Sequence, residues 1–109
     1  MKYISDEDKM RVALDEARKA FDIDEVPVGA AIFDKDDNLI CANHNRRELD
    51  QNPMSHAEIL VLEEASQILG TWRLEETTIA VTLEPDAMCA GAISLSLIHI
   101  SEPTRQKPI

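Results

Sequence analysis

The stretch "SHAEILVLEEASQILGTWRLEETTIAVTL" (residues 55–83) decides the fold. Ala57, Leu60, Val61, Ala65 and Leu69 recur at helical spacing, Ser55 offers a capping hydroxyl before them, and Gly70 can end a helix in a left-handed turn. After a short polar link containing Trp72, "TTIAVTL" (77–83) changes to the β-branched composition of a strand. The stretch therefore predicts a helix that returns the chain to a sheet.

Upstream, "VPVGAAIFD" (26–34) and "LICANHN" (39–45) are two further strand-like runs, and the "KDDN" between them (35–38) is turn chemistry, so the pair predicts a hairpin. Before the hairpin, Met10, Ala13, Leu14, Ala17, Ala20 and Phe21 fall at helical spacing behind Ser5, whose hydroxyl and the acid at Asp8 resemble a capping box. A helix over residues 6–21 follows. "RRELDQNPM" (46–54) reads as loop, and "EPDAMCAGAI" (84–93) as the start of a third helix. The order helix, hairpin, helix, strand, helix contains a strand–helix–strand unit, which favours a right-handed crossover and a three-layer α-β-α arrangement of the α/β class.

At 109 residues the chain is long enough for one modest core, and its 44% hydrophobic and 29% charged content suits a globular domain. The 21 acidic against 11 basic residues, net −10, exclude a broad basic face for nucleic acid, so any RNA partner is gripped locally. Between residues 55 and 94 there are seven acids and one base, Arg73. The charged N-terminus "MKYISDEDKM" is unlike a secretory signal, and no run approaches the roughly 20 apolar residues of a membrane span, which points to a cytoplasmic protein. Cys41 and Cys89 make no disulfide framework; Cys41, inside "LICAN", reads as core. Asp34, Asp36 and Asn38 match the first ligand positions of a calcium loop, but Leu39 replaces its glycine and Asn45 its closing glutamate, leaving a solvated turn.

Chemistry concentrates in "SHAEIL" (55–60) and "EPDAMC" (84–89). His56, Cys89 and Asp86 are an imidazole, a thiol and a carboxylate at the starts of two helices. Together they supply three ligands for zinc and leave a fourth tetrahedral position for water, the pattern of a catalytic rather than a structural site. Two helix N-termini at one spot would favour the ionised carboxylate and thiol. Glu58, two residues beyond His56, is then placed to handle protons on the attacking water. Taken singly, His56 also reads as a structural histidine and Glu58 as a first-turn acid favoured by the helix dipole.

"HAE" followed by "P-x-A-M-C-A-G-A-I" resembles the cytidine and deoxycytidylate deaminase superfamily, whose signature is H-x-E and then P-C-x-x-C. Within it, "EVPVGA", "NHNRRE", "SHAEIL", "TWRL" and "VTLEP" resemble the bacterial tRNA-specific adenosine deaminases over residues 10–93. The resemblance implies the cytidine-deaminase-like three-layer fold and hydrolytic conversion of adenosine to inosine at the wobble position of a tRNA anticodon loop. It implies one zinc per chain held by His56 and Cys89, proton transfer by Glu58, and a base pocket formed by Asn45 and the Ala57 backbone. A homodimer at full length is also implied. His44 reads as a loop-end residue and Trp72 as a core anchor. Other substrates within the superfamily, free bases or nucleosides, and an inactive zinc-binding fragment are the alternatives.

Asp86 stands where the family has cysteine. Aspartate is an accepted zinc ligand, harder than thiolate, and also among the best helix N-caps, so the residue reads either as an unusual third ligand or as a cap. After residue 94 the family pattern stops, and "LSLIHISEPTR" (95–105) resembles the translation of a transposase adapter used in sequencing libraries. Residues 1–94 are thus expected to be a partial deaminase domain, truncated after the third helix begins, and residues 95–109 an artefactual tail. Such a truncation would leave the third strand as an exposed sheet edge.

Overall fold

The computed structural model of the chain describes residues 2–82 and 99–101, the last three through their backbone. Helix α1 (Asp6–Asp22) begins where the Ser5 hydroxyl accepts the Asp8 N–H at 3.0 Å, with three acids in its first turn complementing the helix dipole. The hairpin follows as β1 (Gly29–Phe33) and β2 (Leu39–His44), then a single turn α2 (Arg47–Asp50), helix α3 (Ala57–Leu69) and strand β3 (Thr78–Val81). A short strand β4 (His99–Ser101) completes the described elements. The sheet order is β2-β1-β3-β4, with β1 antiparallel to both neighbours and β3 parallel to β4.

Alternation along the strands makes the three layers. Ala31 and Phe33 of β1 and Ala80 of β3 face α1, where Met10 and Ala13 meet them. Ala30 and Ile32 of β1, Cys41 of β2, and Ile79 and Val81 of β3 face α3, where Ala57, Val61, Leu62 and Ala65 complete a larger core with Leu74. Each of the large fully buried side chains, Phe33, Ile32, Leu74, Ile79, Val61 and Val81, contributes roughly 1.5–3 kcal/mol by leaving water.

The α1 layer sits close because of Gly29. A Cβ there would lie 2.0 Å from the Ala13 carbonyl oxygen and 2.5 Å from the Ala17 nitrogen, so helix backbone rests directly on strand backbone. The buried apolar residues of α1 are Met10, Ala13, Ala17 and Ala20. Leu14 and Phe21, expected inside, are 54% and 68% exposed. On α3 the buried side likewise runs through Leu62, leaving Leu69 exposed.

The hairpin turn is closed by Asp34, whose carboxylate accepts the Asp36 and Asn38 N–H groups at 2.9 Å each, with Asp37 left-handed at φ 66°. Partial burial pushes the Asp34 carboxyl up, but the bonds from Asn38 and Asp36 outweigh it and hold it below the usual range. The carboxylate is thus engaged by the turn, in keeping with a solvated hairpin loop. Lys9, buried on α1, reaches Asp37 at 2.9 Å and the Ile4 carbonyl at 3.2 Å, which straps the N-terminal segment across the hairpin tip.

Three expectations change. The first strand starts at Gly29 rather than Val26, because Pro27 has no N–H and the Val28 N–H turns back to the Val26 carbonyl at 2.8 Å. Trp72 is no core anchor: it is 61% exposed with the Arg73 guanidinium 4.8 Å over its ring, and Leu74, two residues on, fills the core instead. The third strand is not a bare edge, since β4 pairs with it through Thr78–His99, Ile79–Ile100 and Ala80–Ser101. The third helix expected from residue 85 lies outside the described residues, as do most of residues 95–109.

Candidate active site

At one end of the sheet lie four of the residues implicated by sequence, Asn45, His56, Ala57 and Glu58. Gly29, the first residue of β1, pairs with His44, the last of β2, and its carbonyl accepts the Thr82 N–H just past β3 at 3.1 Å. The Thr82 hydroxyl returns a bond by accepting the Gly29 N–H at 3.1 Å. The C-terminal ends of β2 and β3 therefore flank the start of β1, as is usual for ligand sites in open α/β sheets. Thr82, the last described residue before "EPDAMC", lies at this end. Asp86 and Cys89 themselves lie outside the described residues.

Asn45 follows β2 directly and is buried at 5% exposure, with its N–H donated to the Val28 carbonyl at 3.0 Å. His56 opens α3 as its N-cap residue, extended at φ −80° and ψ 145°, half-buried and making no side-chain cap bond. Ala57 is fully buried, and Glu58 in the first helical turn is 5% exposed. A carboxylate there gains from the positive end of the helix dipole. The Arg46 N–H donates to the Ser55 carbonyl at 2.9 Å, so the residues beside Asn45 and His56 are bonded to each other across the loop that separates them in sequence. Asn45, His56 and Ala57 thus share one corner of the sheet.

Ser55 was expected to cap α3 and does not. Its hydroxyl donates to the Asp50 carboxylate at 3.0 Å and its N–H to the Asn52 carbonyl at 3.1 Å, leaving the cap position to His56. Asp50 also accepts from the Arg46 guanidinium at 3.1 to 3.3 Å; these bonds, with that of Ser55 second, hold its carboxyl below the usual range. Glu25, buried before β1, accepts the Leu49 N–H at 2.7 Å and fastens α2 from the other side. These loop residues escaped the sequence reading, which took 46–54 as plain loop. The Arg46–Asp50 spacing of four, with opposite charges, was the available sign of a helical turn.

His44, read from sequence as a loop-end residue, is the last residue of β2, with its ring Nδ1 3.0 Å from the Asn45 carbonyl oxygen. Cys41 is core: its thiol donates to the Val61 carbonyl at 3.3 Å, and burial, with the Glu64 charge second, pushes it up to about 12. Among the described residues no three His, Cys, Asp or Glu side chains form a metal cluster. The donor set His56, Asp86 and Cys89 nevertheless has the nitrogen, oxygen and sulfur chemistry that zinc accepts, with His56 presented at a helix start.

Comparison with known proteins agrees with this geometry. The chain is 50% identical over 94 residues to the tRNA-specific adenosine deaminase of Bacillus subtilis, covering 86% of this chain and 58% of the relative. It is 44% identical over 89 residues to that of Streptococcus pyogenes, covering 82% and 55%. The chain spans little more than half the length of these relatives. Among solved structures, a tRNA:A34 deaminase studied for A-to-I editing at the wobble position superposes with a TM-score of 0.79 at 43% identity, over 83% of this chain and 68% of the other. The guanine deaminase of Bacillus subtilis superposes at 0.85 with 25% identity, over 91% and 63%. Residues 4–100 match the profile of the cytidine and deoxycytidylate deaminase zinc-binding region, and the chain belongs to that family.

Proposed function

We propose that the protein carrying this chain hydrolyses adenosine to inosine at the wobble position of a tRNA anticodon loop. The observation that carries this reading is the 50% identity to a tRNA-specific adenosine deaminase across a segment containing Asn45, His56 and Glu58. His56, Cys89 and Asp86 would hold one zinc, whose Lewis acidity, when bound, makes a water acidic enough to attack at neutral pH. Glu58 would accept a proton from the attacking water as the water oxygen bonds to C6 of the extruded adenine, and would deliver a proton to N1. A second proton transfer through Glu58 lets the C6–N bond break, so adenosine and water become inosine and ammonia. Asn45 and the Ala57 backbone orient the base, and the burial of Glu58 keeps its proton transfer away from bulk solvent. The reading includes a cytoplasmic protein acting as a homodimer, with residues 1–94 as the deaminase segment and 95–109 outside it.

The test is inosine formation on an anticodon stem-loop with adenosine at the wobble position, beside free adenosine, cytidine and guanine. Wild type should convert the stem-loop, and Glu58→Ala should lose about 10²- to 10⁴-fold in kcat/KM, the usual worth of a positioned acid–base group. Conversion of guanine instead would favour the second reading, a free-base deaminase, which the 0.85 superposition on guanine deaminase supports and the lower identity opposes. For Asp86, zinc per chain decides: as a ligand, Asp86→Ala lowers retention and Asp86→Cys keeps or raises it. Full retention in the alanine variant would reduce Asp86 to a cap.

A further inference from the structure

We infer that Asp50 is a positioning residue that holds Asn45 and His56 at their working separation, an inference that rests on the zinc-deaminase reading. The loop of residues 46–55 leaves the sheet immediately after Asn45 and returns immediately before His56. Its two ends are joined by one backbone bond, Arg46 N–H to Ser55 carbonyl at 2.9 Å. From the middle of the loop, the Asp50 carboxylate reaches both end residues. It accepts from Arg46 Nε at 3.2 and 3.3 Å, from Arg46 Nη2 at 3.1 Å, and from the Ser55 hydroxyl at 3.0 Å.

The arrangement is more than a surface ion pair. Ser55 is 2% exposed, so its hydroxyl has little water to turn to if the carboxylate is removed. The Asp50 N–H also donates to the Arg46 carbonyl at 2.8 Å, and the fork of three Arg46 contacts fixes the direction of the carboxylate as well as its distance. Two turns meet at one carboxylate: the α2 turn that follows Asn45 and the bend that precedes His56. Asp50 joins them without touching the reacting groups. Its action on a zinc ligand is that of an outer support, whose loss commonly weakens metal affinity about 10- to 100-fold.

Hydrogen exchange at the Arg46 amide and zinc affinity from competition with a chromophoric chelator, both on the whole chain, test the inference. Asp50→Ala should expose the Arg46 amide to faster exchange and weaken zinc binding about tenfold or more. Ser55→Ala should move both readouts the same way, and the double variant should be no worse than Asp50→Ala, because the two residues act through one bond. If Asp50→Ala fails to fold, Asp50→Asn, which preserves shape and loses only charge, should show both effects more weakly. Wild-type zinc affinity in a folded Asp50 variant, or an Arg46 amide still fully protected, overturns the inference, as does a wild type that takes no zinc. A wild type that binds zinc yet forms no inosine removes the deaminase reading while leaving the exchange and zinc arms to decide Asp50.

Discussion

The two faces of the sheet are cut from the same strands, yet they are built to opposite rules. On the α1 face, small residues let backbones touch around Gly29, with Ala13 and Ala17 over the glycine, while Met10 and Phe33 fill the same face farther along. On the α3 face, branched and bulky side chains, Ile32, Val61, Leu62, Leu74, Ile79 and Val81, keep the helix at the distance their volumes set. Where helix backbone rests on strand backbone at Gly29, the two layers leave no space between them. The face propped open by side chains can present the first turn of α3, with His56 and Glu58, beside the strand ends. The difference separates the layer seated on Gly29 from the layer that carries the candidate site residues His56 and Glu58.

If that separation is right, damage to each face should look different. Ile79→Ala removes a fully buried side chain from beneath α3 and is expected to cost about 2–5 kcal/mol in denaturant unfolding, through lost transfer energy and a residual cavity. The cavity lies under the helix that carries His56 and Glu58, so activity should fall even under conditions where the variant stays folded. Gly29→Ala attacks the other face by overfilling it. The added Cβ meets helix backbone, which cannot rotate away, so destabilisation should reach at least the upper part of the usual overpacking range of about 1–3 kcal/mol. Gly29 also pairs with His44 and Thr82, so a Gly29→Ala protein of wild-type stability would mean that α1 is not seated as described.

The layers were legible because their signal is periodic. Helical spacing gave α1 within a residue at its end, Gly70 ended α3 in a left-handed turn at φ 71°, and the alternation of β1 follows directly from "GAAIF". Which side of a helix is deepest was less legible, because Gly29 sets the approach of α1 from a distant part of the chain, and Leu14 and Phe21 look apolar wherever they point. Trp72 was misplaced for the related reason that bulk alone does not say which of two nearby residues, Trp72 or Leu74, faces the core. The site was read from motif residues. Its supports depend on individual bonds that leave no apolar period: Glu25 to the Leu49 N–H across the fold, and Asp50 to the Arg46 and Ser55 side chains within the loop. The pairing of β4 shows the reverse lesson: an open edge accepts any short segment that can extend beside it, whatever its origin, since backbone groups carry the ladder.

Cys41 gives the gentlest probe of the comparison, because it lies on β2 beneath α3 and its thiol is bonded to the Val61 carbonyl. With the thiol pushed up to about 12, the thiolate at pH 8 is on the order of 10⁻⁴ of the population, against roughly a quarter for an ordinary thiol at pKa 8.5. In a metal-free Cys89→Ser background, a disulfide reagent at pH 8 should therefore modify native Cys41 at least about 10²- to 10³-fold more slowly than the same chain in denaturant. The sign of the pH effect follows. A folded pKa above the unfolded one leaves stability intact below about pH 9 and erodes it as pH rises toward 12, so native labelling should accelerate steeply over that window. Ile79→Ala should speed labelling at pH 8 by loosening α3, whereas Gly29→Ala, acting on the opposite face, should speed it only in proportion to the global stability it removes. Equal acceleration by the two variants at matched stability would show that the α3 layer opens only with the whole domain.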